Sequence, residues 1–439
     1  MTQTAEAKAG TPPGGSWLVR RFRRRTSSLE FIPVIDGLRF VAISMVLLLH
    51  VLSGVWARDP SRVEATGFDI DWVAPGQFGV QLFFVISGLI LAIPFSRRSK
   101  GGPEVSLRRY YLRRLTRLEP PYLLALTGFM VLNPILGHGS SAELAPHYVS
   151  GVFYAHGFAY QSLNPLSEVT WSLEVEVQFY LVLPLLATVF RLKDAAMRRR
   201  VLACAVVAAT GIAHALTIDS LLDEAGAPIP LAFLSLSGHL NLFLIGMLVA
   251  DLFVHDWVER KPSVGADLAF LGGLTVLFLT DPSFGASRTL LLPAGCALVV
   301  GGAIRGRFVR RLLERPAVFL IGGMCYSIYL LHFGVIRLIG DSVTTGIAPA
   351  SAGLDLLLSV VVLTLACLLV AVAYFVLVER PFMRLDWPGR ALDRIPRAIT
   401  NVPALLGSRR YARLPVPSLQ LAPTPALVSV DEPLRRTRR

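Results

Sequence analysis

The sequence predicts an all-α, polytopic membrane protein of about ten transmembrane helices with both termini in the cytoplasm. Three observations carry that expectation. Of the 439 residues 53 % are hydrophobic and only 17 % charged, a balance far from that of a soluble domain. Apolar stretches of about 18 residues or more recur along most of the chain, the length a helix rising about 1.5 Å per residue needs to cross roughly 30 Å of hydrocarbon. Lys and Arg gather on alternate loops, the pattern that orients helices in a bilayer.

The basic segment 1–30 comes first, with an arginine-rich run from Arg20 to Arg25. It resembles the start of a signal peptide. The apolar run behind it continues without an A-x-A cleavage site, so it is expected to be an uncleaved first helix over 33–54. Further spans are expected at 78–95, 119–137, 171–190, 201–218, 231–254, 264–280, 287–304, 317–340 and 353–378. Between the seventh and eighth, Asp281 to Arg288 is a short hinge that could belong to a re-entrant hairpin. These spans make one membrane domain, 31–384, followed by a basic Pro-rich tail, 385–439, with no sustained period and a disordered character. Around 390–406 the tail could adsorb to anionic headgroups. No internal repeat is evident, which argues mildly against transporters built from inverted repeats.

Charge tests this topology. The segments assigned to the cytoplasm before the last helix carry 26 Lys and Arg, the opposite loops carry Arg58 and Arg62 alone, and twelve more arginines lie from Arg380 onward. The net charge of +13 is therefore assigned to orientation in the lipid bilayer rather than to nucleic-acid binding. Cys204, Cys296, Cys325 and Cys367 lie in apolar spans without CxxC spacing and read as small buried hydrophobes. No metal site is expected.

Charges within a span cost about 2.5–3.5 kcal/mol each on insertion scales, so those retained are functional candidates. The first helix holds three such groups in IDGLRFVAISMVLLLH. Arg39 and His50 are eleven residues apart, a rotation that returns to within about 20° of the same face and a rise of about 16 Å. Asp36, one turn before Arg39, can pair with it. A neutral histidine in a low-dielectric site can take a proton from a hydroxyl near neutral pH; equally, a histidine near a helix end can simply bond a carbonyl or headgroup. Arg113, Arg114 and Arg117 crowd the entry to the third helix, where their guanidinium forks could hold phosphates or anchor the helix by charge alone. In WSLEVEVQFY, Glu174 and Glu176 have no basic residue one turn away, so at least one must face a polar cavity or a distant partner. Ser87 and Gly88 read as close-packing residues, because no base adjoins Ser87 in sequence. His138, His147 and His156 recur at nine-residue intervals in an outer loop, where scattered loop histidines are a simpler account than a metal site.

Taken in order, these segments resemble the acyltransferase-3 family of integral-membrane O-acyltransferases. The first-helix run with its Arg and His ten intervening residues apart, GVQLFFVISGL (79–89), RRLTRLEPPY (113–122), WSLEVEVQFY (171–180), CYSIYLLH (325–332) and VERP (378–381) all match. The likeness spans about 31–384. It implies transfer of a short acyl group from cytoplasmic acyl-CoA, a co-substrate rather than a bound cofactor, to a hydroxyl. His50 would be the essential histidine and Arg39 its companion, with Arg114 and Arg117 in the family's RxxR element. Glu176, rather than Glu174, is the family-like acid; it could orient His50, bind acceptor hydroxyls or form an interhelical bond. Asp36, Trp171, Tyr180, His332, Glu379 and Arg380 fall in matched segments as supporting residues. The matches depart from the family pattern at Leu89, Glu174 and Val177, which bears on acceptor preference.

The resemblance implies a bacterial inner-membrane location. Its acceptor would be a cell-envelope glycan or glycolipid, or alternatively a small hydroxylated metabolite such as a macrolide. The tail is too short for the soluble esterase-like domain that some polysaccharide-modifying relatives carry, which leans slightly toward the small acceptor. The many Ala and Arg against four Lys suggest a GC-rich genome, where antibiotic tailoring is plausible. A transporter or flippase of acyl groups or glycolipids is the rival of another class, since it would use the same intramembrane charges.

Overall fold

The computed structural model describes residues 22–24, 31–221, 229–258, 260–280, 285–346 and 351–383, without the side chains of 62, 217–221, 285–289 and 345–346. Helices dominate, and no β-strand occurs among the described residues. Apart from the short turns Pro60–Glu64 and Arg380–Phe382, the α-helices in chain order are α1 (Pro33–Arg58), α2 (Phe78–Ser99), α3 (Leu107–Ile135), α4 (Ser141–Val152), α5 (His156–Tyr160), α6 (Trp171–Leu186) and α7 (Ala195–Leu221). They continue with α8 (Leu240–Leu252), α9 (Val264–Leu279), α10 (Gly285–Arg305), α11 (Phe308–Leu313), α12 (Pro316–Gly323), α13 (Cys325–Gly346) and α14 (Ala352–Tyr374).

Six helical segments among the described residues are long and apolar enough to cross a membrane: Pro33–Arg58, Ile70–Ser99, Glu168–Arg191, Ala195–Leu216, Leu240–Trp257 and Ala352–Phe382. A seventh arises if α12 and α13, bent by 68° at their junction, count as one span. Their outer faces are leucine-rich and open, as at Leu185 (70 % exposed) and Leu369 (71 %), which suits lipid rather than water.

Local chemistry explains where the helices depart from the ten expected spans. The expected span 119–137 is the second half of a longer helix. Ser106 caps α3 by accepting from the Arg109 N–H, and the helix runs unbroken from its arginine-rich first half through Pro120 and Pro121, too polar overall to pass as a span. The span expected from 231 begins only at Leu240. Pro230 and the Ser235–Gly238 stretch hold the chain in turns there, since these residues favour turns over a helix interior. The helices in place of the seventh and eighth spans, Val264–Leu279 and Leu290–Arg305, are short. Residues 281–284 of the expected hinge, the tail beyond 383 and its 390–406 stretch lie outside the described residues. Cys296 and Cys367 are buried as expected, but Cys204 is exposed on α7 and Cys325 is only partly buried.

α1 sits at the centre, packed against α2, α12 and α13, while α8 packs most extensively on α2 and α9 on α10. Small residues permit the closest approaches. Gly88 on α2 meets the backbone carbonyl of Phe243, and Gly246 on α8 meets that of Val85, leaving no room for a Cβ on either side. Gly246→Ala is therefore expected to cost about 1–3 kcal/mol, the usual penalty of overpacking. Thermal unfolding in detergent would show it as a lowered midpoint; an unchanged midpoint would mean the helices separate freely. Gly322, at the end of α12, lies in the same way on the backbone of Asp36, pinning the α12–α13 bend to the start of α1.

Near one end of the bundle a buried ion network joins α7 to α8. Arg198, 1 % exposed, donates through Nε to Asp251 Oδ1 at 2.6 Å, and Arg199 Nε reaches Asp251 Oδ2 at 3.0 Å. His255 Nε2 lies 3.2 Å from Arg198 Nη2 and 3.1 Å from Ser99 Oγ. Both arginines were expected in a loop at 191–200, whereas α7 already begins at Ala195.

Candidate active site

The rotation of α1 brings its polar stripe to the bundle interior. Asp36 is 4 % exposed and accepts from Arg39 Nη1 at 2.6 Å and Arg24 Nη1 at 3.3 Å. The expected Asp36–Arg39 pair forms, and Arg24 from the N-terminal basic run joins it. A buried carboxylate requires such pairing.

Around this pair opens a cavity of about 370 Å³ whose lining includes Arg24, Arg39, Arg109, Arg113, Arg114 and Arg117. The three expected donor-side arginines therefore do converge, because α3 carries all of them into the bundle on one continuous helix. The Nε atoms of Arg24, Arg114 and Arg117 are buried without a hydrogen-bond partner. An unsatisfied buried donor costs about 1–3 kcal/mol, and an anion entering this cavity could supply the missing acceptors.

A deeper cavity of about 100 Å³ shares Arg24, Arg39, Arg114 and Arg117 with the first. Its other walls include Ser87, Ser172, Glu176, Tyr180, Tyr326 and Tyr329. Arg114 lies over the Tyr180 ring, 5.5 Å from its centroid. Ser87 Oγ donates to Glu176 Oε1 at 2.6 Å, so the base that Ser87 lacks in sequence reaches it from α6. Glu379 also lines this cavity and accepts from Ser327 Oγ at 2.6 Å. Glu174 turns away instead, and its carboxylate accepts from the backbone N–H groups of His156 and Gly157 at 3.3 and 2.9 Å.

His50 meets His332 rather than Glu176. His332, fully buried, has its Nδ1 3.0 Å from the Ile328 carbonyl and 2.9 Å from that of Tyr329. Carbonyls only accept, so Nδ1 carries the proton and Nε2 of a neutral ring carries a lone pair. That Nε2 faces His50 Nδ1 at 3.2 Å, and the same Nδ1 lies 3.0 Å from the Val46 carbonyl. Two acceptors at His50 Nδ1 place its proton there. The lone pair of His50 is thereby left on Nε2, the form a general base requires.

His50 lines neither cavity. Tyr329 lines the deep cavity, and its ring lies 5.8 Å from that of His332 and 6.2 Å from that of Phe83. Its hydroxyl bonds Ser172 Oγ at 2.7 Å and the Val169 carbonyl at 2.9 Å. Trp171 belongs to an aromatic cluster with Phe84, Phe233 and His239, and Arg380 lines neither cavity. His147 and His156 come together, Nδ1 to Nε2 at 2.9 Å. Burial first, and then the neighbouring His147, push His156 down to about 4. No group of three or more His, Cys, Asp or Glu among the described residues could hold a metal ion.

Sequence reasoning missed Arg24, Tyr326 and Tyr329. The tyrosines were findable, because Tyr326, Tyr329 and His332 recur every three residues and share a helix face. Arg24 was hidden in a run of like residues.

Comparison with known proteins follows the same residues. The acyltransferase-3 family model, an acyltransferase domain, matches residues 32–376. The O-acetyltransferase OatA of Staphylococcus aureus (strain NCTC 8325 / PS 47) is 22 % identical over 345 residues, covering 73 % of this chain and 53 % of the relative. The putative O-acetyltransferase SACOL0978 of Staphylococcus aureus (strain COL) is 21 % identical over 344 residues, with the same coverage. The putative O-acetyltransferase SAR0937 of strain MRSA252 is 20 % identical over 407 residues, 86 % of this chain and 62 % of its own length. The chain thus spans a little over half the length of these relatives. No solved structure matches it.

Proposed function

The chain belongs to the acyltransferase-3 family, and from that premise we propose that it is a multi-pass O-acyltransferase of the bacterial inner membrane. It moves an acetyl or similarly short acyl group from cytoplasmic acyl-CoA to a hydroxyl of a cell-envelope glycan or glycolipid. The observation that carries this reading is the two-histidine network that leaves His50 Nε2 as a free base. The names of the relatives, O-acetyltransferases, support the acyl class.

Ten spans with both termini cytoplasmic accommodate the helices if the bent α12–α13 pair, the second half of α3 and the shorter α9 and α10 each cross. The charge asymmetry then puts the arginine-lined cavity at the cytoplasmic face. There the guanidinium groups of Arg109, Arg113, Arg114 and Arg117 would hold the phosphates of CoA, while the thioester reaches along α1 toward the deep cavity. His50 Nε2 takes the acceptor proton as the acceptor oxygen attacks the acyl carbonyl, and CoA is released as the thiol side of the exchange. The imidazolium so formed is steadied by its Nδ1–H bonds to Val46 and His332.

Arg117→Ala is expected to raise the KM for acetyl-CoA about 10- to 100-fold, the worth of a charge-assisted bond of about 1.5–3 kcal/mol, with kcat little changed. Steady-state kinetics at varied salt would measure it; an unaltered KM would remove this arginine from donor binding. The whole reading is tested with purified protein in detergent, acetyl-CoA and an extracted envelope glycolipid. Gradient-free CoA release with an acetylated product supports it. Movement of acyl groups or glycolipid only across a sealed, energised vesicle, with no covalent product, would favour transport and overturn it.

A further inference from the structure

We propose that Ser87 is an acyl-carrying nucleophile with Glu176 as its base, so that the reaction runs through a covalent acyl-enzyme. This inference rests on the O-acyltransferase reading and adds a step to it. Ser87 Oγ donates to Glu176 Oε1 at 2.6 Å, which is the nucleophile-to-base contact that an activated serine requires. Both side chains are only partly buried, and both line the deep cavity that continues from the arginine-lined one. A purely structural interhelical bond would be better served by burial away from a cavity.

The surroundings suit the chemistry. Arg39 and Arg114 stand in the same wall, positioned to steady negative charge on a tetrahedral intermediate. The start of α13 at Cys325 opens on that cavity as well, adding the positive end of a helix dipole. Gly88 seats α2 directly on the backbone of α8, which fixes the backbone that bears Ser87.

The step balances without a further reactant. Ser87 Oγ attacks the thioester carbonyl and gives its proton to Glu176; the new O–C bond forms as the C–S bond breaks, and the CoA thiolate takes the proton from Glu176. A serine ester and free CoA result. In the second half-reaction the acceptor oxygen attacks that ester and His50 Nε2 takes the acceptor proton; the bond from the acyl carbon to Ser87 Oγ breaks, and Ser87 regains its hydroxyl by taking that proton back through water, so that His50, Ser87 and Glu176 end as they began. CoA would enter where the arginines are, and the acceptor would reach the ester from the side of Tyr329, whose ring lies 5.8 Å from that of His332, the hydrogen-bond partner of His50. An ester on Ser87 keeps the acyl group in the deep cavity after CoA has gone.

The experiment uses full-length protein in detergent with acetyl-CoA carrying a radiolabelled acetyl group. In His50→Ala, where the second half-reaction is blocked, one equivalent of CoA is expected in a burst, with alkali-labile label on the peptide containing Ser87. Ser87→Ala should take up no label and transfer at least 100-fold more slowly. Glu176→Gln should slow the burst about as much, and Ser87→Cys should capture the acyl group as a thioester released by neutral hydroxylamine. Wild-type transfer rates in folded Ser87→Ala, or label on another residue, would overturn the relay while leaving the O-acyltransferase reading intact. Neither label nor product from the wild-type protein would overturn both.

Discussion

His50→Ala is expected to lower acyl transfer by about 10²- to 10⁴-fold, the usual worth of a general base, in protein that still inserts and purifies as a monodisperse species. Two backbone carbonyls fix the proton of His332 on Nδ1, which leaves only an acceptor to face His50 Nδ1. His50 must then donate from Nδ1 and accept at Nε2. Removing the ring takes away the base and leaves the buried His332 lone pair unmatched, a loss of about 1–3 kcal/mol in stability. Fold and activity should therefore separate cleanly. The measurement is acetyl transfer by purified variant alongside its thermal midpoint. Substantial residual turnover in a folded variant would remove His50 from the mechanism.

Asp251→Asn is expected to destabilise the protein by about 3–5 kcal/mol, the cost of stranding a buried charge. Arg198 is 1 % exposed and would keep its guanidinium in the bundle interior with Asp251 no longer anionic. Arg199 is less affected because Asp256 holds it through Nη2 at 2.9 Å. Replacing both buried partners, as in Arg198→Met with Asp251→Leu, should recover much of the loss, since an apolar pair of similar volume carries no desolvation penalty. Chemical unfolding in detergent would compare the single and double variants. A single variant as stable as wild type would show that water or headgroups already reach Arg198.

The helical, membrane-embedded character and the α1 stripe were legible in the sequence because both follow from short-range rules. Apolar length selects helices in lipid, and the rotation per residue alone places Asp36, Arg39 and His50 on one face. Pairs between helices were not legible. Nothing in the order of residues brings His332 to His50 over 282 positions, or Glu176 to Ser87 over 89; these contacts depend on how α13 bends and how α2 packs. Charge patterns also misled. Arg198 and Arg199 count toward sidedness like any loop arginine, yet one of them closes a buried ion pair. The start of α8 was misplaced because a Leu- and Phe-rich stretch around Pro230 and Gly238 has the hydropathy of a span but the turn chemistry of a loop.

Tyr329 has one further consequence. Its phenol ring lines the deep cavity, and its hydroxyl is held by Ser172 and Val169. A smaller side chain here would open that wall toward the His332 ring, 5.8 Å away, so the bulk of this phenol bears on how large a molecule the cavity admits.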